Sequence, residues 1–203
     1  MKFSKFIALS ALVYAAHSQA TTVTFDDLNT RNNFGNLGIS NTYQGFQWSS
    51  SGASNAGWAV ATTTNRVYSE QVTPVSGAGY AWNWGGVRSM YIDFGAAEDV
   101  AGAYFSGIYT FGQSSNTIQM FGYDSSHHLV ANSSILNLID GFNYLTAGFS
   151  NVYSIEIRSD RASSWFLADD IQLTASNNVP EPSSIALLGL GLAGLAMMRR
   201  RKV

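Results

Sequence analysis

The 203-residue sequence contains no cysteine, and only 12% of its residues are charged, against the ~25% of an average soluble domain. Without a thiol, a disulfide-stapled scaffold, a thiolate metal site and a cysteine nucleophile are all excluded. Lysine is missing from the whole of 21–178, where five arginines (Arg31, Arg66, Arg88, Arg158, Arg161) face twelve acidic residues, a surplus of seven negative charges. That balance excludes non-specific nucleic-acid binding, which needs basic side chains to displace counterions from phosphates. No G-x-S-x-G, H-E-x-x-H or Walker loop occurs, which argues against the common hydrolase, zinc-protease and nucleotide-dependent chemistries. A sustained 3.6-residue apolar period is also missing between the two ends of the chain.

What is present begins with two unusual ends. Residues 1–20 open with Lys2 and Lys5, run apolar from Phe6 to Ala16 and close on Ser18-Gln19-Ala20. A basic start, a short apolar run and a small-x-small exit together predict a secretory signal helix, cleaved after Ala20 by signal peptidase to leave Thr21 first. At the other end, Val179-Pro180-Glu181-Pro182 and Ser183-Ser184 precede fourteen uncharged, mostly apolar residues, 185–198, and then Arg199, Arg200, Arg201 and Lys202. The prolines separate this tail from what precedes it, since neither a ladder nor a helix interior continues through them. As a helix, 185–198 reaches ~21 Å, short of the ~30 Å hydrocarbon core. The basic cluster settles the reading as a transmembrane helix, because Lys and Arg are retained on the cytoplasmic side while snorkelling and bilayer thinning absorb the mismatch. The pattern Gly189-x-Gly191-x-x-Gly194 within this run is not a dinucleotide fingerprint, because only nine residues follow it and no βαβ unit can be built there.

Val-Pro-Glu-Pro, a serine spacer, a Gly-rich apolar helix and a terminal arginine cluster resemble the PEP-CTERM sorting signal of exported proteins from Gram-negative bacteria, a signature also catalogued under an ice-binding label. The resemblance covers about the last 25 residues. It implies recognition of Pro180-Glu181-Pro182 by a membrane-embedded exosortase, cleavage nearby, transient anchoring in the inner membrane, and delivery to the cell surface or an exopolysaccharide matrix.

Between these ends, short alternating runs recur between Gly, Asn and Ser clusters and predict strands at 22–25, 46–49, 80–84, 89–94, 100–105, 117–123, 129–134, 142–146, 152–158 and 165–174. About ten strands in 21–178 predict an all-β, jelly-roll-like β-sandwich. The clearest unit is a hairpin over 117–134, with turn chemistry at Asp124-Ser125-Ser126-His127. Thr24-Phe25-Asp26-Asp27-Leu28, Tyr43-Gln44-Gly45-Phe46-Gln47-Trp48 and Phe166-Leu167-Ala168-Asp169-Asp170-Ile171-Gln172-Leu173 resemble the β-sandwich regions that often precede such tails, and suggest a fold like that of carbohydrate-binding modules.

Candidate chemistry is sparse. Asp26 and Asp27 near the first strand and Asp169 and Asp170 in the last would repel if brought together, unless solvated, protonated or bridged by a hard cation. Resemblance to jelly rolls that hold calcium between terminal strands suggests a structural Ca²⁺ site on Asp26, Asp27 and Asp170, with Asp169 in reserve. The alternative is that one aspartate of each pair caps a turn and the other faces water. His127 and His128, adjacent on an extended chain, point to opposite faces and read as an exposed turn. Tyr80, Trp82 and Trp84 share one face of a strand and read as core rather than as a platform for sugars. Tyr43, Trp48 and Trp58, inside the long Gly/Ser/Asn-rich region 29–64, are the candidates for surface contacts with a ligand. Together these features predict an exported, exosortase-sorted, non-enzymatic β-sandwich of the cell surface or extracellular matrix. A secreted carbohydrate-active hydrolase is the alternative, and ice binding a remote third.

Overall fold

The computed structural model describes residues 20–28, 35–36, 42–52, 56–64, 72–108 and 113–174, all within the compact unit Gln19–Ser176. The signal segment before Ala20, the sorting motif 179–182, the apolar run 185–198 and the basic cluster 199–202 lie outside the described residues. Among the described residues there is no helix. The strands are β1 (Thr21–Val23), β2 (Gly35–Asn36), β3 (Thr42–Tyr43), β4 (Phe46–Ser50), β5 (Gly57–Thr62), β6 (Gly79–Trp84), β7 (Ser89–Gly107), β8 (Thr117–Tyr123), β9 (Leu129–Asn132), β10 (Leu136–Asn137), β11 (Asn143–Ser159) and β12 (Phe166–Thr174).

They form one antiparallel sheet in the order β10-β8-β11-β7-β12-β6-β5-β2, with β1 added to β12, β4 to β7, β3 to β4 and β9 to β8. The sheet curls because two strands are long enough to serve both halves. β7 pairs β4 through Met90–Asp93 and β12 through Asp99–Gly107, while β11 pairs β8 only over Ser154–Ser159. Each of these strands was expected as two. Gly95 and Gly148, at φ +70° and +63°, fall in the gaps between the predicted strands, but the chain continues through them as bulges, with register shifts between Thr146 and Ser154. Bulges bend a strand and increase its twist without ending it. The region 29–64, expected as loop, contributes β2, β3 and β5 as well as the predicted β4.

The two halves face each other across one core. Ile118 and Met120 of β8, Ile155 and Ile157 of β11, Met90 and Ile92 of β7 and Trp48 of β4 meet Phe105, Phe166, Ala168, Ala81, Val60 and Trp58. The β12-β6-β5 half also buries its other face, where Tyr80, Trp82, Leu167, Ala59 and Ala61 pack with Ile108 and Val72. Asn83 fixes the end of β6: fully buried, its Nδ2 donates to the carbonyls of Val87 (2.8 Å) and Ser164 (2.9 Å), and its Oδ1 accepts from Phe166 N–H at 2.8 Å. β8 and β9 form the predicted hairpin, closed where Asp124 Oδ1 accepts from Ser126 and His128 N–H at 2.8 and 2.9 Å.

Candidate functional site

β1 and β12 are neighbours, with Val23 opposite Ile171, so the first and last strands do bring their aspartates into one region. Of the set Asp26, Asp27 and Asp170, the structure brings Asp26 and Asp170 to a shared donor, the Ser76 hydroxyl, at 3.5 and 2.6 Å, while Asp27 is engaged elsewhere. The Tyr43 hydroxyl donates a hydrogen bond to the Asp27 carboxylate. Asp26 Oδ1 accepts from Ala78 and Gly79 N–H at 2.7 and 2.8 Å, and Ser76 Oγ donates to Asp170 Oδ1 at 2.6 Å. Asp169, fully buried, accepts from Val75 N–H and Asp170 N–H, each at 2.8 Å. Burial drives its pKa up to about 7, and the neighbouring Asp170 charge adds to this against the hydrogen bonds from the backbone. The segment 75–79 thus supplies amide and hydroxyl donors to three carboxylates, and among the described residues no group of three or more His, Asp or Glu could hold a metal ion. As placed, these side chains fasten a loop to the terminal strands.

The three aromatics expected at the surface are core residues. Trp48 and Trp58 are each 1% exposed and Tyr43 7%. Trp48 points inward between the exposed Gln47 and Ser49, packs edge-on to Trp58 at 5.0 Å and donates its indole N–H to the Tyr43 carbonyl at 3.0 Å. Trp58 donates to the Tyr91 carbonyl at 3.1 Å. Gly/Ser/Asn-rich flanks resemble a loop in sequence, but burial of large rings dominates placement. Tyr80 and Trp82 are buried as expected, and so are Ala81 and Asn83 on the reverse face. Trp84 is half-buried.

The accessible chemistry lies on the outer face of β9-β8-β11-β7-β4. Register aligns Asn132, Phe121, Glu156, Tyr91 and Ser49 in one row across the five strands, and Leu129, Tyr123, Ser154, Asp93 and Gln47 in the next. Glu156 is 1% exposed, yet it sits on this face because its neighbours cover it. Arg158 Nε and Nη2 each donate to it at 2.6 Å, and Tyr123 Oη donates to its Oε2 at 2.6 Å. Burial opposes its charge, but the hydrogen bonds from Arg158, Ser89 and Tyr123 outweigh that cost and hold the carboxyl below the usual glutamate range. Burial and the Glu156 carboxylate push the Tyr123 phenol up to about 12. The Arg158 guanidinium lies over the Phe121 ring, 4.2 Å from its centroid, in cation–π geometry. The result is a face with three half-buried rings, Tyr91, Phe121 and Tyr123, beside a neutralised ion pair that engages two of them, bordered by the exposed Gln47, Ser49 and Asn132.

Sequence reasoning passed over this face, although its signal is there. Gln119, Phe121 and Tyr123 alternate with Ile118, Met120 and Gly122, and Glu156 and Arg158 alternate with Ile155 and Ile157, so the non-core set includes two aromatics and a charge pair on period-2 positions.

Among curated proteins, none matches the chain. Solved structures similar to it include a DUF4465 family protein from Bacteroides caccae (14% identity, covering 78% of this chain and 100% of that one, TM-score 0.54). The K2 cleaved adhesin domain of Lys-gingipain is another (14% identity, 76% and 99% coverage, TM-score 0.50). A third is the N-terminal CBM22-1-CBM22-2 tandem domain of Xyn10C from Paenibacillus barcinonensis (12% identity, 85% and 50% coverage, TM-score 0.50). At these identities the likeness is one of fold. Residues 178–202 match the family described as the PEP-CTERM protein-sorting motif, whose presence implies exosortase processing. The chain therefore carries the PEP-CTERM protein-sorting motif, which implies exosortase-sorted export, behind a domain that is all-β over its described residues.

Proposed function

We propose that this protein is a non-enzymatic surface or extracellular-matrix component whose β-sandwich binds a neutral polysaccharide through the outer face of β9-β8-β11-β7-β4. The observation that carries the reading is the set of half-buried rings Tyr91, Phe121 and Tyr123, two of which the Glu156–Arg158 pair engages, Tyr123 by its hydroxyl and Phe121 beneath the guanidinium. The faces of Tyr91 and Tyr123, and the face of Phe121 turned away from Arg158, pack against the apolar faces of pyranose rings, while the bordering amides and hydroxyls of Gln47, Ser49 and Asn132 meet sugar hydroxyls. Arg158 is committed to Glu156 through two nitrogens, and Asp93 adds a negative charge to the same face. An acidic glycan would therefore meet repulsion without a spare cation, which is why a neutral polymer is favoured.

Two features support a binding rather than a catalytic role. Glu156 is held ionised and covered, and Asp169, whose raised pKa would suit a general acid, is buried with both oxygens engaged by amides. Neither presents a proton to a bound sugar, and glycoside hydrolysis needs two carboxyl groups facing each other across the scissile bond. In this reading signal peptidase cleaves after Ala20, residues 185–198 anchor the chain in the inner membrane with the basic cluster inside, and exosortase acts at Pro180-Glu181-Pro182 before delivery to the surface or matrix.

Native gels containing soluble β-glucan, galactomannan or xylan test the binding. The protein should be retarded by at least one of them, Phe121→Ala should weaken that retardation about tenfold, as expected of an aromatic hot spot, and no reducing ends should appear. Free migration in all three, or product release, would overturn the proposal. Replacing Pro180, Glu181 and Pro182 by alanine should trap the protein in the inner membrane, and unaltered release would count against the sorting route.

A further inference from the structure

On the far side of the sandwich, the outer face of β11-β7-β12-β1 carries a second aromatic feature, set apart from the buried cluster around Trp82. Register places Tyr144, Tyr104 and Asp169 in one row, and Thr146, Gly102, Gln172 and Thr22 in the next. Leu145, Ala103 and Phe105 alternate with these residues and point into the core, so Tyr104 and Tyr144 point outward. Their rings are 4.8 Å apart, tilted by 60°.

Tyr144 does not stand off the sheet as strand side chains ordinarily do. A Cβ at Gly102 would come within 2.8 Å of its Cζ and Oη, and its hydroxyl donates to Gln172 Oε1 at 3.1 Å. The ring therefore lies along the sheet, starting on β11, crossing β7 at the glycine and ending on β12. It is 36% exposed, so part of the ring is open to solvent beside Tyr104. Gly102 is the residue that makes this posture possible, because any side chain there would strike both the ring and the Leu145 carbonyl, 2.2 Å from the same Cβ position. The surroundings are uncharged and polar: Thr146 and Thr22 are exposed, and Gln172, whose carbonyl is taken by Tyr144, directs its amide N–H donors elsewhere. Asp169, the only carboxylate in these rows, is covered and engaged by amides.

We infer that Tyr144, laid flat over Gly102 and flanked by Tyr104, Gln172 and Thr146, is a second saccharide-stacking subsite. It lies on the side of the sandwich opposite the Phe121 face, so that one domain holds two neutral polysaccharide chains and cross-links them. The inference rests on the polysaccharide-binding reading above and adds to it a second valence. Two sites on opposite faces cannot engage one straight segment of chain together, so occupying both joins separate chains rather than tightening a single contact.

The test separates binding from bridging. The full-length protein is mixed with the soluble polysaccharide that retards it in native gels, and light scattering is followed alongside retardation. The unmodified protein should raise scattering steeply at protein-to-polymer ratios where binding is half saturated. Tyr144→Ala should still be retarded, within about threefold, while the scattering rise falls about tenfold or more, and Phe121→Ala should lose the rise similarly. Tyr144→Phe, which keeps the ring and loses only the Gln172 bond, should retain most of it. Thr146→Arg, an exposed substitution that lays a long charged side chain over the platform, gives the same readout should the alanine variant melt early. Scattering unchanged by Tyr144→Ala and Thr146→Arg, or an unmodified protein that binds without any rise, would overturn the second subsite while leaving the first intact. A protein that binds none of the polymers would overturn both.

Discussion

Removing the positive partner of Glu156 is the sharpest probe of how the proposed binding face is built. The Glu156 side chain is 2% exposed and that of Arg158 37%. In Arg158→Met the carboxylate loses two charge-assisted hydrogen bonds of 2.6 Å, while Tyr123 and Ser89 still donate to it. Stranding one member of a buried ion pair costs about 3–5 kcal/mol, and the partial exposure of Arg158 lets water recover part of that, giving about 2–4 kcal/mol. With a urea m-value of about 2 kcal/mol/M, the unfolding midpoint, followed by tryptophan fluorescence at pH 7, should drop by about 1–2 M. The double variant Glu156→Leu/Arg158→Met removes both charges and should recover to within about 1 kcal/mol of the unmodified protein, because two apolar side chains replace the pair without leaving an unmet charge. The acid limb gives a second check. Glu156 has a depressed folded pKa, so its contribution is present above its unfolded value near ~4.3 and is lost as pH falls through the folded value. That loss should be steeper in the unmodified protein than in Arg158→Met. A midpoint shift under about 0.3 M in Arg158→Met, or a double variant less stable than the single, would refute the idea that this pair is what holds the rings in place.

Asn83→Ala should cost about 3–5 kcal/mol by chemical denaturation, since it leaves the Phe166 N–H and the Val87 and Ser164 carbonyls buried without their partner, each worth about 1–3 kcal/mol when orphaned; a cost below about 1 kcal/mol would show that water reaches the site. Stability should decline as pH rises from about 4 to about 7 and level off above. Asp169, with its pKa raised to about 7, is protonated in the folded state and ionised in the unfolded one across that window, and melting temperatures in a constant-ionic-strength buffer series check this. Asp169→Asn should flatten that slope.

Local patterns transmitted part of the fold faithfully. Ile118, Met120 and Gly122 alternate with polar and aromatic residues, and that period of two, with a turn at Asp124, gives the β8–β9 hairpin in near-native bounds. Segmentation failed at Gly95 and Gly148, because a glycine that ends a strand and a glycine that bulges one look alike without the partner strand that carries the ladder past it. It failed again at Trp48 and Trp58. Polar loop-like flanks say nothing about which way an indole points, and the inward orientation comes from the pairing of β4 with β7 and β5 with β6.

By itself the sequence determined the C-terminal sorting motif, the lack of thiols and the all-β character of the described residues, because each depends on composition or on spacing within a few residues. Only the tertiary structure decided that Asp26, Asp169 and Asp170 serve as acceptors for one loop, that Glu156 is sealed under Arg158 beside Phe121, and that Tyr144 lies across Gly102. Those facts join residues up to 94 positions apart, and strand register, which no local pattern encodes, sets which of them meet.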